Sequence, residues 1–117
     1  MNKKDNFVFI KHMIDSINAV EDFSKNLSKE ELSVNRLKQS AIVREIEVIG
    51  EAAKNLSKEF KDKNNKVVWK DIIGTRDIMI HKYFGVDLDI VWNIINEDLP
   101  KLKKQISKIE KSEGLIS

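Results

Sequence analysis

The sequence predicts an all-α protein: an up-and-down bundle of four to five helices, formed as a single domain over residues 1–117. Three observations support this fold class. Glycine occurs only four times and proline once, while Lys, Glu and Leu, which favour helices, are abundant. Apolar residues recur at three- and four-residue steps. The breaks between these periodic stretches are short, which favours antiparallel neighbouring helices.

The first half of the chain contains two long periodic stretches with a short one between them. The first predicted helix carries an apolar stripe formed by Phe7, Ile10, Ile14 and Ile17. Ser28 and Glu31 have the spacing of a capping box, which predicts a new helical start after Leu27. Asn35 can cap the next long helix, whose apolar side contains Ile42, Ile46, Ile49, Ala53, Leu56 and Phe60. Small residues make one side of that helix thin, so another helix can approach closely at Gly50, Ala52 and Ala53.

The second half begins with a polar break at 61–66, KDKNNK. A helix is predicted from about Trp69 to about His81, with Gly85 as a left-handed terminator just past its end. Asp87 can cap the last helix. Its apolar side contains Leu88, Val91, Trp92, Ile95, Leu99, Leu102, Ile106 and Ile109. Pro100 is expected to kink this helix, because proline removes one backbone hydrogen bond from a helix interior.

Composition restricts the class of protein. Apolar residues make up 41% and charged residues 34% of the chain, which is typical of a globular protein. Cysteine is absent, so neither disulfides nor a thiolate metal site can form, which fits a reducing cytosol. The first residues, MNKKDNFVFIKHMID, contain no long apolar run and no small-residue cleavage site. We therefore expect a cytoplasmic protein without a membrane segment.

Positive charge is concentrated in the last predicted helix. The net charge of the whole chain is only +2, which is too small to argue for a nucleic-acid partner. The lysines of the last helix can form a solvated face or a patch that attracts phosphate. Spacing alone leaves both interpretations open for Lys101, Lys103, Lys104, Lys108 and Lys111.

The octapeptide RDIMIHKY, residues 76–83, contains Arg76, the only tyrosine of the chain at Tyr83, and His81, which is one of two histidines. In a helix, Arg76 and Tyr83 are seven residues apart and share a face, whereas His81 lies about 140° around from Arg76. A straight helix therefore does not bring the three side chains together. Convergence requires the helix to end near His81, or a second copy of the chain to contribute its own set.

Each residue of the octapeptide also has an ordinary structural interpretation. A histidine near a helix C-terminus interacts favourably with the helix dipole. Tyr83 and Phe84 can be packing residues, and Arg76 with Asp77 can be a surface ion pair.

The chemistry that would use these groups is RNA cleavage without a metal. Attack of the 2′-hydroxyl on the adjacent phosphate needs a base, an acid and a cation for the developing charge. His81 can serve as acid or base and Arg76 can bind the phosphate, while a symmetric dimer supplies two histidines. The sequence shows neither metal-ligand spacing nor a glycine-rich phosphate loop.

The pattern R-x-x-x-x-H-x-Y, formed by Arg76, His81 and Tyr83, resembles the signature of the HepT-like proteins of the HEPN superfamily. The stretches 44–57 and 69–100 are similar to the second long helix of that family and to its motif helix, turn and last helix. Together they cover 46 of the 117 residues. The flanking residues that strengthen the resemblance are Trp69, Gly74, Tyr83, Phe84, Val91 and Trp92.

The resemblance implies the toxin half of a prokaryotic toxin–antitoxin pair: an all-α homodimer acting as a metal-independent ribonuclease, with no cofactor. It implies Arg76 and His81 as the catalytic residues of a composite dimer site and Asp77 as a supporting polar residue. It also implies a partner, the MntA-type nucleotidyltransferase antitoxin, which transfers AMP to Tyr83. An alternative stays open: a non-catalytic helical dimer whose role is to bind the nucleotidyltransferase.

Overall fold

The computed structural model describes residues 3–75, 77 and 87–114, and these residues form an all-α bundle in which no strand occurs. Its centre is a pair of long helices, α1 (Lys3–Ser24) and α3 (Arg36–Lys54), which pack along each other. The short helix α2 (Lys29–Val34) links them and contributes Leu32 to the core. The side chains that α1 and α3 bury include Ile10, Met13, Ile17, Val20, Ile42, Ile46, Ile49 and Ala53. The predicted fold class is confirmed.

Both helix starts predicted in the first half are confirmed by their caps. The Glu31 backbone N–H donates to Ser28 Oγ at 3.1 Å, and the Ser28 backbone N–H donates to Glu31 Oε1 at 2.9 Å. These bonds form a complete capping box, and they hold the pKa of Glu31 below its usual value. At the next start, the Lys38 backbone N–H donates to Asn35 Oδ1 at 2.9 Å.

The prediction that α3 runs to Phe60 and is followed by a polar break over 61–66 is wrong. The helix ends at Lys54, and a separate helix α4 (Lys58–Lys63) extends into the stretch predicted as a break. Ser57 caps α4 by accepting the Phe60 backbone N–H at 3.1 Å. Buried Asn6 of α1 accepts the Ser57 backbone N–H at 2.9 Å. This contact stabilises the break between the helices, and apolar periodicity does not reveal it.

The helix predicted from Trp69 to His81 is shorter than expected in its described part. Helix α5 (Trp69–Ile73) ends at Gly74, and Thr75 and Asp77 again have helical geometry. The predicted end at His81 and the predicted terminator Gly85 lie outside the described residues.

Helix α5 packs against the thin side of α3, as predicted. A Cβ atom on Gly50 would lie 3.2 Å from the Ile72 carbonyl oxygen, closer than most real contacts of that kind. Glycine is therefore the residue that lets the α5 backbone approach α3 closely.

The last helix is continuous but changes geometry near Pro100. It consists of α6 (Leu88–Asn93), a π-helical turn (Ile94–Asp98) and α7 (Leu99–Ser112). In the π-helical turn the Leu99 backbone N–H donates to the Ile94 carbonyl. Pro100 then falls in the first turn of α7, where its missing N–H matters least. The structure shows a change of helical geometry just before the proline, and the predicted kink stays a prediction.

Within the described ranges, every helix is too short or too polar to span a lipid bilayer.

Candidate active-site cleft

A cleft of about 710 Å³ lies between α3, α5 and the last helix. Its floor is apolar and is formed by Ile46, Ile49, Ile72, Ile90, Ile94, Leu99 and Leu102. Because these residues come from three separate parts of the chain, the cleft exists only once α5 and the last helix have both packed on α3.

Acidic side chains dominate the rim of the cleft. Four carboxylates line it, namely Asp71, Asp87, Asp89 and Asp98, whereas the lysines that line it are Lys66 and Lys101. Asp89 forms an ion pair with Lys29 of α2, and the hydrogen bond between them raises the pKa of Lys29. Both partners are exposed, so this pair stabilises the fold only slightly.

Two described residues that flank the octapeptide in sequence line this cleft. Thr75 precedes Arg76 and Asp87 follows residue 86, and both Thr75 and Asp87 line the cleft. The Thr75 hydroxyl donates to the Asp71 carbonyl at 2.8 Å. Asp87 Oδ1 accepts the backbone N–H groups of Asp89 and Ile90 at 3.1 and 3.2 Å and so caps α6. The residues that flank 76–86 in sequence, a stretch called the motif segment below, therefore line one cleft.

Contacts of Trp69, its first residue, fix the position of helix α5, in addition to its close approach to Gly50 of α3. Trp69 is buried, and its indole N–H donates to the Asn64 carbonyl at 3.1 Å. Its ring packs against Phe60 of α4 with the ring centroids 6.4 Å apart. These contacts fix the position from which the octapeptide begins.

Of the predicted site residues, the structure describes Asp77. Its side chain is exposed, its geometry is helical, and its backbone N–H donates to the Gly74 carbonyl at 3.1 Å. Arg76, His81 and Tyr83 lie outside the described residues, so their roles stay predictions.

The lysines of the last helix divide into two groups. Lys103 donates to both carboxylate oxygens of Glu21 on α1, at 3.0 Å each. The other four, Lys101, Lys104, Lys108 and Lys111, are exposed.

The acidic rim was not anticipated from the sequence. Asp87 was predicted only as a helix cap. Asp71, Asp89 and Asp98 form no sequence motif with Asp87 that would indicate a shared surface. These carboxylates meet because α5 and the last helix approach each other over α3, and no local spacing carries that information. Among residues 3–75, 77 and 87–114, no three or more His, Asp or Glu side chains are grouped so that they could hold a metal ion.

Most of the chain matches a known family of ribonucleases. Residues 13–109 match the family model described as Ribonuclease HepT-like. The chain therefore belongs to the HepT-like ribonuclease family, as the resemblance in the sequence indicated.

Individual relatives carry ribonuclease names. The chain is 39% identical over 106 residues to "Putative RNase MJ1380" of Methanocaldococcus jannaschii, covering 91% of this chain and 97% of the relative. It is 32% identical over 109 residues to "Probable ribonuclease HepT" of Thermococcus cleftensis, covering 93% and 99%.

A third relative is longer. "Gamma-glutamylcyclotransferase and putative RNase MJ0434" of Methanocaldococcus jannaschii is 42% identical over 107 residues, which is 92% of this chain. The match spans about half of that relative, 48% of its length. The comparison with solved structures found no match.

Proposed function

We propose that this chain is a metal-independent endoribonuclease of the HEPN type and the toxin of a prokaryotic toxin–antitoxin pair. One observation carries the proposal: the sequence R-x-x-x-x-H-x-Y lies inside the 97 residues that match the HepT-like ribonuclease family. The cleft supports the proposal, because Thr75 and Asp87, which flank the motif segment in sequence, both line it.

The reaction is a transesterification at an RNA phosphate. The 2′-oxygen attacks phosphorus while a base removes its proton, and the 5′-oxygen leaves with a proton from an acid. The products are a 2′,3′-cyclic phosphate and a 5′-hydroxyl. Arg76 binds the phosphate and stabilises its added charge, and His81 acts as acid or base near neutral pH. Asp77, four residues before His81, supports the imidazole if the helix continues through both residues.

Two copies of the chain complete this site. The motif supplies one histidine per chain, whereas the reaction needs both an acid and a base. A homodimer with two-fold symmetry places the two motifs opposite each other, and we propose that the surface around Gly74 and Asp77 forms the contact. Gly74 is small and half-buried and Asp77 is exposed, so a second copy can approach closely there.

Modification of Tyr83 is the proposed means of silencing. An MntA-type nucleotidyltransferase would bind ATP so that the Tyr83 phenol oxygen attacks the α-phosphorus and pyrophosphate leaves. The transferred AMP is a bulky anion beside Arg76 and His81. It would occupy the place of the RNA phosphate and cancel the local positive charge.

Purified protein incubated with RNA in EDTA tests the ribonuclease activity. We expect cleavage by the wild type and none by His81→Ala or Arg76→Ala, with thermal melts showing that both variants fold. Equal cleavage by a folded variant would contradict the catalytic assignment. No cleavage by a wild type that still binds the nucleotidyltransferase would favour the non-catalytic helical dimer instead.

Mass spectrometry after co-expression with the nucleotidyltransferase tests the modification. We expect a mass increase of one or more AMP units that is absent from Tyr83→Phe, since Tyr83 is the only tyrosine. The Tyr83→Phe protein should stay toxic in the presence of the antitoxin. An adduct that persists in Tyr83→Phe would place the modification on another residue.

A further inference from the structure

Four lysines form a single line on the outer side of α7. At 100° per residue, Lys101, Lys104, Lys108 and Lys111 fall within about 80° of one another. All four are exposed, and the opposite side of the helix carries the buried residues Leu102, Ile106 and Ile109. These four residues are called the lysine stripe below.

Within the described ranges, the lysine stripe differs from five other lysines in forming no ion pair, a property that it shares with exposed Lys25 and Lys54. Five other lysines form ion pairs, namely Lys11–Asp15, Lys29–Asp89, Lys58–Asp62, Lys63–Glu113 and Lys103–Glu21. Within the part of the chain that the structure describes, no member of the stripe forms one.

The acidic side chains one turn from the stripe are Glu97 and Asp98, and both precede Lys101. Lys104, Lys108 and Lys111 therefore have no carboxylate three or four residues away on their own helix. With five lysines and one glutamate, α7 carries a formal charge of +4, twice that of the whole chain.

The stripe begins at the cleft. Lys101 lines the cleft together with Thr75 and Asp87, which flank the motif segment in sequence. From there the stripe runs about 15 Å along α7, at about 1.5 Å per residue. The Gln105 side-chain amide donates to the Lys66 carbonyl at 3.2 Å, which places another exposed lysine beside the stripe.

We propose that the lysine stripe is a docking track for the phosphate backbone of single-stranded RNA. It holds the strand along α7 so that a neighbouring segment of the same strand reaches the cleft that Thr75 and Asp87 line. This inference rests on the proposed ribonuclease function and names the surface that binds the substrate. Because lysines contact phosphates as point charges, the track is independent of RNA sequence.

An acidic protein fits this surface less well than RNA. Protein interfaces are depleted in lysine and are usually centred on apolar or aromatic side chains. In the described ranges the large apolar side chains that are well exposed are Val8, Val34, Leu37 and Val68, and none of them lies on α7. A line of lysines without an apolar anchor matches a phosphate backbone instead.

Binding to a labelled 2′-O-methyl oligoribonucleotide tests the track, because the blocked 2′-oxygen prevents cleavage during the measurement. The stripe variant changes Lys101, Lys104, Lys108 and Lys111 to Gln. Each phosphate contact with a single strand contributes about 0.7 to the slope of log K against log salt. Four lost contacts should reduce the magnitude of that slope by roughly 3 and weaken binding at least tenfold near 0.1 M salt.

A second variant with the same change of net charge is the control. It changes Lys11, Lys25, Lys54 and Lys58 to Gln, and all four of these lysines are exposed elsewhere on the molecule. We expect this control to lower the slope by less than 1, and a stripe variant with four arginines to bind like the wild type. If the four-Gln stripe variant does not fold, the pair Lys104→Gln with Lys108→Gln takes its place, with an expected slope change of about 1.4.

The outcomes separate this inference from the proposed function. Equal losses in the stripe and control variants, or no loss in either, would overturn the track. A stripe variant that binds RNA normally but no longer binds the nucleotidyltransferase would also overturn it and would assign the stripe to a protein partner. A wild type whose RNA binding depends on the stripe, but which leaves unmodified RNA intact, would keep the track and contradict the ribonuclease activity.

Discussion

The α1–α3 pair and the cleft side of the molecule are held together in different ways. Along α1 and α3, long apolar side chains such as Ile17 and Ile42 are fully buried. A reciprocal pair of hydrogen bonds between Asn6 and Ser57 adds to this packing. On the other side, α5 is a five-residue helix whose backbone approaches α3 at Gly50, and an open cleft separates it from the last helix.

The difference predicts that substitutions in the two regions affect stability and function separately. Among the described residues, the α1–α3 pair contributes five of the eight largest fully buried side chains, and it therefore supplies much of the free energy of folding. The cleft side presents carboxylates around an open surface. Substitutions in the first region should change stability alone, whereas substitutions in the second should change activity beyond their effect on stability.

The largest expected change in stability comes from Ile42→Ala. Ile42 is fully buried in α3, and its replacement leaves a cavity that costs about 3 kcal/mol of unfolding free energy. Urea denaturation measures the loss, and RNA cleavage per folded molecule should stay at the wild-type level. A loss below about 1 kcal/mol would mean that this pair does not dominate stability.

Gly50→Ala should affect activity more than stability. The added Cβ lies 3.2 Å from the Ile72 carbonyl, so α5 must move, and overpacking of this kind costs about 1–3 kcal/mol. The better helix propensity of alanine returns about 1 kcal/mol. We expect a net loss of about 1 kcal/mol but a fall in RNA cleavage of roughly tenfold or more, because the start of the motif segment shifts.

The matched control for Gly50→Ala is Ser40→Ala, at an exposed position of the same helix. Ser40→Ala should change neither the free energy of unfolding nor the rate of RNA cleavage. Wild-type cleavage by a folded Gly50→Ala protein would show that the position of α5 does not control the site.

The caps Asn35, on α3, and Asp87, at the cleft, allow the two regions to be compared directly. Asn35→Ala and Asp87→Ala each remove a side chain that accepts backbone N–H groups, and each should cost about 1 kcal/mol. Only Asp87→Ala should lower RNA cleavage, because Asp87 lines the cleft and Asn35 does not. Paired thermal melts and cleavage assays measure both effects, and equal activity of the two variants would remove the functional distinction between the caps.

The smallest expected effect is the pH dependence contributed by Glu31. Bonds from Ser28 hold the pKa of Glu31 below its ordinary value of 4.5, so the ionised form stabilises the folded state above that pH. This contribution is lost as the pH falls through the lowered pKa. Glu31→Gln keeps the geometry of the capping box and removes the charge. Its melting temperature should lie slightly below that of the wild type at neutral pH, and the difference should close in acid; a constant difference would contradict this origin.

The sequence by itself determined the helical class, the starts of α2, α3 and the last helix, and the membership of the family. Caps at Ser28, Asn35 and Asp87 depend on residues two or three positions away, so a local pattern is sufficient to predict them. The close approach at Gly50 was also predictable, because small residues on one helical face leave room for a neighbour.

Only the tertiary structure decided where α3 ends and which residues form the cleft. The break before α4 depends on Asn6, which is 51 residues away from Ser57 in the chain. The acidic rim and the connection of the lysine stripe to the cleft likewise require α5 and the last helix to meet over α3. Periodicity and capping describe interactions within one or two helical turns. Contacts between distant segments depend on how whole helices pack, and no local pattern records that.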